Sequence, residues 1–293
     1  SFQNRIILDY ESICTDLEQI LENIGGLCGD RYFIKALGEK NIQIIRNRKD
    51  IIGRRLRGGF QLVFIGDFKR GKSTLINALL GEAAVPTAVT PETVTINKLS
   101  YSDISRTEAV LKNRKRVPLS QAELTRESLD KIMEQLPAPV DHIDIRLNHK
   151  YLQDITIVDT PGMSDLLKAF DEQVADYLVN ADAIIYVVSA RSPLSYTEQA
   201  FLSTTIMPQS FFRVFLVINM ADTLETEENL IKVKELVEDR AKTISDKIYV
   251  YILSALDEYC RKRGLNRPEH ELTEVLENNF LEFESAIQND ILF

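Results

Sequence analysis

The stretch VFIGDFKRGKSTLINALLG, from Val63 to Gly81, determines how the rest of the chain is interpreted. An apolar run predicted to be a strand ends at Gly66, and a helical pattern opens directly after Gly71. The residues between them follow the pattern G-x-x-x-x-G-K-S, in which backbone N–H groups and a helix N-terminus can surround a phosphate. The stretch therefore predicts a phosphate-binding loop between a strand and a helix.

The composition of the 293-residue chain limits the classes of protein to which it can belong. With 44% hydrophobic and 27% charged residues, it can bury one large core with an appendage. The formal net charge of -9 argues against a nucleic-acid partner. No apolar run approaches the ~20 residues that span a bilayer, and Cys14, Cys28 and Cys260 have no C-x-x-C spacing. We therefore expect a cytoplasmic protein with reduced thiols.

Three zones of different periodicity divide the chain. Residues 60–265 alternate short apolar runs with helical segments, which is typical of an α/β domain with a mostly parallel sheet covered on both faces. Residues 1–59 and 266–293 carry apolar stripes at helical spacing. The stripes are formed by Ile6, Tyr10, Ile13, Leu17, Ile20 and Ile24, and by Leu272, Leu276, Phe280, Phe283, Ile287 and Ile291. Because no single helix can bury its own stripe, we predict one bundle of the N- and C-terminal helices.

The loop motif and a second motif assign roles to individual residues. Lys72 is expected to reach the β- and γ-phosphate oxygens, and Ser73 to ligate Mg²⁺. In IVDTPGM, Asp159 is expected to hold Mg²⁺ through water, and the Gly162 N–H can contact the γ-phosphate. The other residues of the loop that are predicted to bind the nucleotide are Asp67, Phe68, Gly71 and Thr74.

Two further strand ends predict which base is bound. VINMAD ends a strand with Asn219, and the Asp222 carboxylate can accept hydrogen bonds from N1 and N2 of guanine, which adenine does not offer. Met220, which follows Asn219, has a long apolar side chain and is expected to pack on the base plane. In LSA, a backbone N–H at Ser254 or Ala255 can meet the guanine O6. Because ligands bind beyond the carboxyl ends of parallel strands, these elements together predict a GTPase with GTP as substrate and Mg²⁺ as cofactor.

Taken together, the motifs resemble the dynamin superfamily, and most closely its bacterial dynamin-like members. The resemblance rests on Gly66–Ser73, on VTPETVT at Val89–Thr95, and on DTPG and NMAD, and it covers about Phe60–Asp257. It implies flanking helices that form a neck, GTPase domains that dimerise face to face, and higher oligomers of a longer protein. It also implies that the longer protein carries a stalk and acts peripherally on membrane lipid, and that this chain is a fragment of it.

The resemblance also implies candidate catalytic residues. A threonine after the P-loop helix closes over Mg²⁺ and positions the attacking water in this family; Thr90 matches best, and Thr87 and Thr93 are the alternatives. Lys69 and Arg70 are candidate catalytic cations. Guanylate-binding and atlastin-like proteins have at the Lys69 position an arginine that turns inward on dimerisation, whereas Arg70 offers a bidentate guanidinium. The alternative is that both cations merely face solvent.

Two other functions fit the same motifs. One is a monomeric switch GTPase of the ribosome-assembly type, against which the acidic charge balance and the apolar flanking helices argue. The other is a GTP-gated scaffold with very slow turnover. It is suggested by Met163, which occupies the place of the water-orienting glutamine of small GTPases, because a thioether cannot orient water.

Overall fold

A computed structural model describes residues 10–58, 60–67, 69–87, 95–120, 132–133, 135–162, 177–178, 180–209 and 213–291. The predicted site residues Phe68 and Thr90, the alternative Thr93, and Met163 lie outside these residues. The chain divides between residues 59 and 60 into two compact units. Within the described residues, no helix is both long enough and apolar enough to cross a bilayer.

The first unit contains the helices α1 (Tyr10–Gly29), α2 (Arg31–Leu37) and α3 (Glu39–Gly58). Asp30 caps α2, because its Oδ1 accepts hydrogen bonds from the N–H groups of Tyr32 and Phe33 at 2.8 and 3.0 Å. Arg46 on α3 donates to the carbonyl of Cys28 on α1 at 2.7 Å. Several large apolar side chains of these helices are exposed, namely Leu17, Ile20, Leu27, Tyr32, Leu37, Ile44 and Ile52.

In the second unit, nine strands of the described chain form one sheet in the order β4-β3-β5-β2-β6-β1-β7-β8-β9. The strands are β1 (Phe60–Gly66), β2 (Ile96–Tyr101), β3 (Arg106–Leu111), β4 (Arg116–Leu119), β5 (Val140–Leu147), β6 (Ile155–Asp159), β7 (Ala183–Ser189), β8 (Arg213–Asn219) and β9 (Ile248–Ile252). Strands β6, β1, β7, β8 and β9 run parallel, and β5 is parallel to β2. The pairs β2–β6, β3–β5 and β3–β4 are antiparallel. The predicted α/β domain with a mostly parallel sheet is confirmed.

Both faces of the sheet are covered, as its continuous apolar strands require. The covering helices include α4 (Lys72–Leu80), α5 (Tyr196–Phe201), α6 (Glu227–Ile244), α7 (Ala255–Arg263) and α8 (Thr273–Ile291). Alternate residues of β1 enter different cores: Leu62 and Phe64 pack with residues of α4 and α8, and Val63 and Ile65 pack with residues of α5 and α6. The alternation follows from the two-residue period of a strand.

The C-terminal stripe from Leu272 to Ile287 is buried by the sheet unit, which differs from the expected bundle with the N-terminal helices. Phe280, Phe283 and Ile287 lie in the core that contains Leu62, while Leu272 and Leu276 lie in the other core. The Phe283 ring lies 6.4 Å from that of Phe215 on β8 and 5.4 Å from that of Tyr251 on β9. Residues 266–293 thus belong to the same compact unit as the sheet. An apolar stripe requires a covering surface, and here strands β8 and β9 provide part of it.

Candidate nucleotide-binding site

The predicted phosphate-binding loop connects β1 to α4 and packs closely against its neighbours. A Cβ at Gly66 would lie 2.4 Å from the carbonyl oxygen of Val187, and a Cβ at Gly71 would lie 2.3 Å from Nδ2 of Asn219. Gly71 also has a φ of +83°, in the left-handed region. The close approaches and this backbone angle explain why glycine occupies both ends of the motif.

Lys72 lies at the first position of α4 and folds back over the loop. Its Nζ donates a hydrogen bond to the carbonyl oxygen of Gly66 at 3.1 Å, and the residue is 9% exposed. The loop therefore places a buried ammonium group beside the N–H groups that open α4. A positive group and a helix N-terminus together favour a bound anion.

Ser73 and Asp159 form the part of the site that fits a magnesium ion. The Ser73 hydroxyl donates to Oδ2 of Asp159 at 2.8 Å. Oδ1 of Asp159 is buried and accepts no hydrogen bond from the described residues. Burial raises the pKa of Asp159, whereas the charge of Lys72 and the Ser73 hydrogen bond act in the opposite direction. Hydroxyl and carboxylate oxygens are the donors that Mg²⁺ takes, and its charge would stabilise the ionised carboxylate, so these residues fit the ion.

The rest of the second motif follows Asp159 directly. Thr160 anchors it to β1, because its Oγ1 donates to the carbonyl oxygen of Phe64 at 2.7 Å. Gly162 is buried beyond the end of β6. Of the candidate threonines, Thr87 is described and is exposed after α4.

Asn219 ties the phosphate-binding loop to the segment that follows β9. Its Nδ2 donates to the carbonyl oxygen of Arg70 at 2.8 Å, and its Oδ1 accepts a hydrogen bond from the N–H of Ala255 at 2.9 Å. Ser254 caps α7 by accepting a hydrogen bond from the N–H of Asp257 at 3.2 Å. One amide side chain thus fixes the spacing between the phosphate and base elements.

The other predicted base residues lie just beyond β8. Met220 adopts a left-handed backbone conformation with φ of +65°, and its Sδ lies 3.5 Å from the Ser189 hydroxyl. Asp222 is half-buried in the short turn Ala221–Thr223. The predicted elements therefore stand at the carboxyl ends of β1, β6, β8 and β9, at one edge of the sheet.

The two extra cations of the loop lie in different environments. Lys69 is exposed at the loop tip with φ of +60°. Arg70 forms an ion pair with Glu198 on α5, with 3.2 Å between Nη2 and Oε1, and its side chain is 20% exposed. The remaining loop residues, Asp67 and Thr74, are half-buried beside β1 and in the first turn of α4.

Sequence reasoning missed three residues that contact this site. They are Glu198, Thr160 and Asn97, of which Asn97 is buried on β2 directly opposite Asp159 in the β2–β6 pairing. Glu198 alone carries a sequence signal, since Ser195–Glu198 matches the S-x-x-E capping box. That pattern indicates the start of a helix and gives no information on a contact with Arg70.

The loop, the three further strand-end motifs and the parallel sheet define a P-loop GTPase domain. The family model for the dynamin family matches residues 62–222, which is more than half of the chain. The chain therefore belongs to the dynamin family, and it is a GTPase.

Individual relatives agree with this family. The bacterial dynamin-like protein of Nostoc punctiforme is 29% identical over 269 residues, which cover 87% of this chain and 37% of that protein. A protein of Caldicellulosiruptor sp. (strain Rt8B.4), described by its position in the xynA 3′ region, is 31% identical over 193 residues, or 65% of this chain and 46% of that protein. This chain thus spans less than half of the length of either relative.

A solved structure of a bacterial dynamin shows the same fold. The structure comes from an oligomerised bacterial dynamin pair described as sensing and tethering membranes. It superimposes on 96% of this chain and 43% of its own with a TM-score of 0.62, at 18% sequence identity.

Proposed function

We propose that this chain is the GTP-hydrolysing domain of a longer membrane-remodelling protein, in which two GTPase domains dimerise through their nucleotide-binding faces. The observation that carries the proposal is the assembled site: Ser73 bonds to Asp159, and Asn219 joins the Arg70 carbonyl to Ala255. Elements for phosphate, metal and base are thereby held together in one site.

In the proposed reaction, the loop N–H groups and Lys72 hold the phosphates, and Asp222 selects guanine. Ser73 would ligate Mg²⁺ directly and Asp159 would hold it through water; when bound, the ion offsets charge on the β- and γ-phosphate oxygens. Thr90 would orient the attacking water through its backbone carbonyl. A cation of the loop tip, Lys69 or Arg70, would stabilise the charge that develops as the γ-phosphoryl group transfers.

Dimerisation is proposed because the chain has no glutamine at position 163 to orient the attacking water. Met163 replaces the glutamine of small GTPases, so the competent arrangement must be completed in another way, and a face-to-face contact between two GTPase domains can order the loops involved. The solved bacterial dynamin that shares this fold is an oligomerised pair, which supports self-association as part of the proposal.

The first unit is proposed to be a neck segment of the longer protein. Its helices expose apolar side chains such as Ile20, Leu27, Ile44 and Ile52, an arrangement that suits further helices supplied by the rest of the protein. This chain spans 37% of the Nostoc punctiforme relative, so a protein of that length would contain further segments that could supply such helices. The longer protein is expected in the cytoplasm, peripherally on membrane lipid and without a nucleic-acid partner.

The test is the turnover of GTP per molecule over a range of protein concentrations, with Lys72→Ala as the binding-deficient control. Turnover that rises with concentration, together with dimers in gel filtration when GDP and aluminium fluoride are present, supports the proposal. Turnover independent of concentration with a monomer throughout identifies a switch GTPase. GTP binding with negligible turnover at every concentration identifies a GTP-gated scaffold.

A further inference from the structure

Arg70 is held at two points, one on its backbone and one on its side chain. Its carbonyl oxygen accepts a hydrogen bond from Asn219 at 2.8 Å, and its guanidinium lies 3.2 Å from the Glu198 carboxylate. Nε of Arg70 and Oε1 of Glu198 are both buried and have no hydrogen bond within the described part of the chain. The ion pair between Nη2 and Oε1 therefore supplies the opposite charge that each of these partly or fully buried groups needs.

Glu198 is itself held by several hydrogen bonds at the start of α5. Its side chain is 4% exposed, and its Oε2 accepts a hydrogen bond from the N–H of Ser195 at 2.7 Å. Its own N–H donates to the Ser195 hydroxyl at 3.4 Å, which completes a capping box at the start of α5. Its carbonyl oxygen accepts a hydrogen bond from the hydroxyl of Tyr186, a fully buried residue of β7, at 3.3 Å.

The fixed carboxylate connects the loop to the sheet that carries it. Tyr186 pairs in register with Ile65 on β1, one residue before the loop begins at Gly66. The chain of contacts therefore runs from β7 through Glu198 to Arg70 in the middle of the loop. A loop that surrounds phosphate with N–H groups binds most tightly when those groups are already in place, because no ordering cost then opposes binding.

We propose that Glu198 is a positioning residue for nucleotide binding: through its ion pair with Arg70 it fixes the backbone of the phosphate-binding loop. The inference rests on the proposed function of that loop. It also divides the two cations, because Arg70 then serves the shape of the loop and Lys69 is left as the candidate to act on the phosphates.

Glu198→Gln tests this role with little damage to the helix, because glutamine also serves the third position of a capping box. The variant leaves the partly buried Arg70 without its counter-charge. We expect release of a fluorescent GDP analogue, measured by stopped flow, to become about tenfold faster or more, because a loop that is no longer held in its binding conformation retains the nucleotide less tightly. Asp144→Asn is the matched control. It removes a buried carboxylate of β5, three strands away from β1, that pairs with Arg116 on β4 and with Arg146 on β5.

A second variant and the double variant make the test specific for the pair. Arg70→Gln should accelerate GDP release in the same way as Glu198→Gln. The double variant should release GDP no faster than the faster of the two single variants, because residues that act through one contact are not additive. If Glu198→Gln fails to fold, Arg70→Gln alone decides the question.

Two results would overturn the inference. Parental GDP release in either single variant, or strictly additive effects in the double variant, means that the pair does not shape the loop. Higher GTP turnover with parental GDP release in Glu198→Gln means that Arg70 is a restrained catalytic cation. If the unmodified protein binds no guanine nucleotide, the proposed function itself is wrong, which is distinguishable from both results.

Discussion

Replacing Gly71 with alanine tests the geometry on which the nucleotide site depends. At a φ of +83°, a side chain costs about 1–2 kcal/mol in backbone strain. The new Cβ would also lie 2.3 Å from Nδ2 of Asn219, so that amide must move. Moving it breaks the hydrogen bond to the Arg70 carbonyl, worth about 0.5–1.5 kcal/mol. The combined cost is about 1.5–3.5 kcal/mol. The part due to Asn219, about 0.5–1.5 kcal/mol, should weaken nucleotide binding, because that hydrogen bond holds the loop.

Gly264→Ala separates strain from steric overlap. Gly264 ends α7 with a φ of +64°, and a Cβ there would have no atom within 4 Å. Both variants should therefore lower the melting temperature through strain, but only Gly71→Ala should weaken GDP binding, by about two- to tenfold. Calorimetric titration with GDP and thermal unfolding of both variants measure the two effects. Parental GDP affinity in Gly71→Ala would refute the reasoning, because the bridge made by Asn219 would then not matter for binding.

Three further predictions concern the base, the acid stability and the C-terminal helix. Asp222→Asn should shift preference from guanosine to xanthosine nucleotides, as calorimetry with both triphosphates will show. Burial of the Asp257 carboxyl acts to raise its pKa, but Arg267 and His270 outweigh burial, and the pKa of Asp257 is lowered. This stabilisation exists above the unfolded-state pKa of 3.8 and is lost as the pH falls through the lower folded-state value; Asp257→Asn should therefore flatten the dependence of melting temperature on pH below about 4. Phe283→Ala should destabilise the sheet unit by about 3–5 kcal/mol in denaturant unfolding, whereas a parental midpoint would contradict its place in the core.

Much of the fold and of the site could be predicted because the relevant signals are local. Alternating apolar runs and helical segments predict a parallel sheet, and the predicted site residues follow the ends of its strands. Separate motifs assign Ser73 and Asp159 to one metal, and the structure joins them at 2.8 Å. The position of Asn97 could not be predicted, because β2 pairs with β6 in the antiparallel direction and no local pattern encodes that pairing.

The C-terminal helix shows a second limit of local signals. Its periodicity correctly indicates that one face is buried, since Phe280, Phe283 and Ile287 are fully buried. Periodicity measures the spacing of apolar residues along one helix and contains no information on the surface opposite. The choice between a bundle and the sheet depends on contacts with β8 and β9, which lie far away in the sequence.

The adjacent cations Lys69 and Arg70 show the same limit, because the local sequence does not reveal which distant residue each of them contacts. Both are long, positively charged side chains in one loop, and sequence alone gives no reason to assign them different work. The structure supplies the difference in a third residue, because the Glu198 carboxylate, fixed by its own helix start, lies within 3.2 Å of Arg70. A cation engaged by a buried carboxylate must lose that partner before it can reach a phosphate, and the loss costs free energy in each catalytic cycle. The exposed position of Lys69 at the loop tip leaves its side chain room to turn toward a phosphate while the pair of Arg70 and Glu198 stays intact. Lys69→Ala should therefore lower kcat by about tenfold or more with GDP release unchanged, and a parental kcat in a single-turnover assay would count against this division of roles.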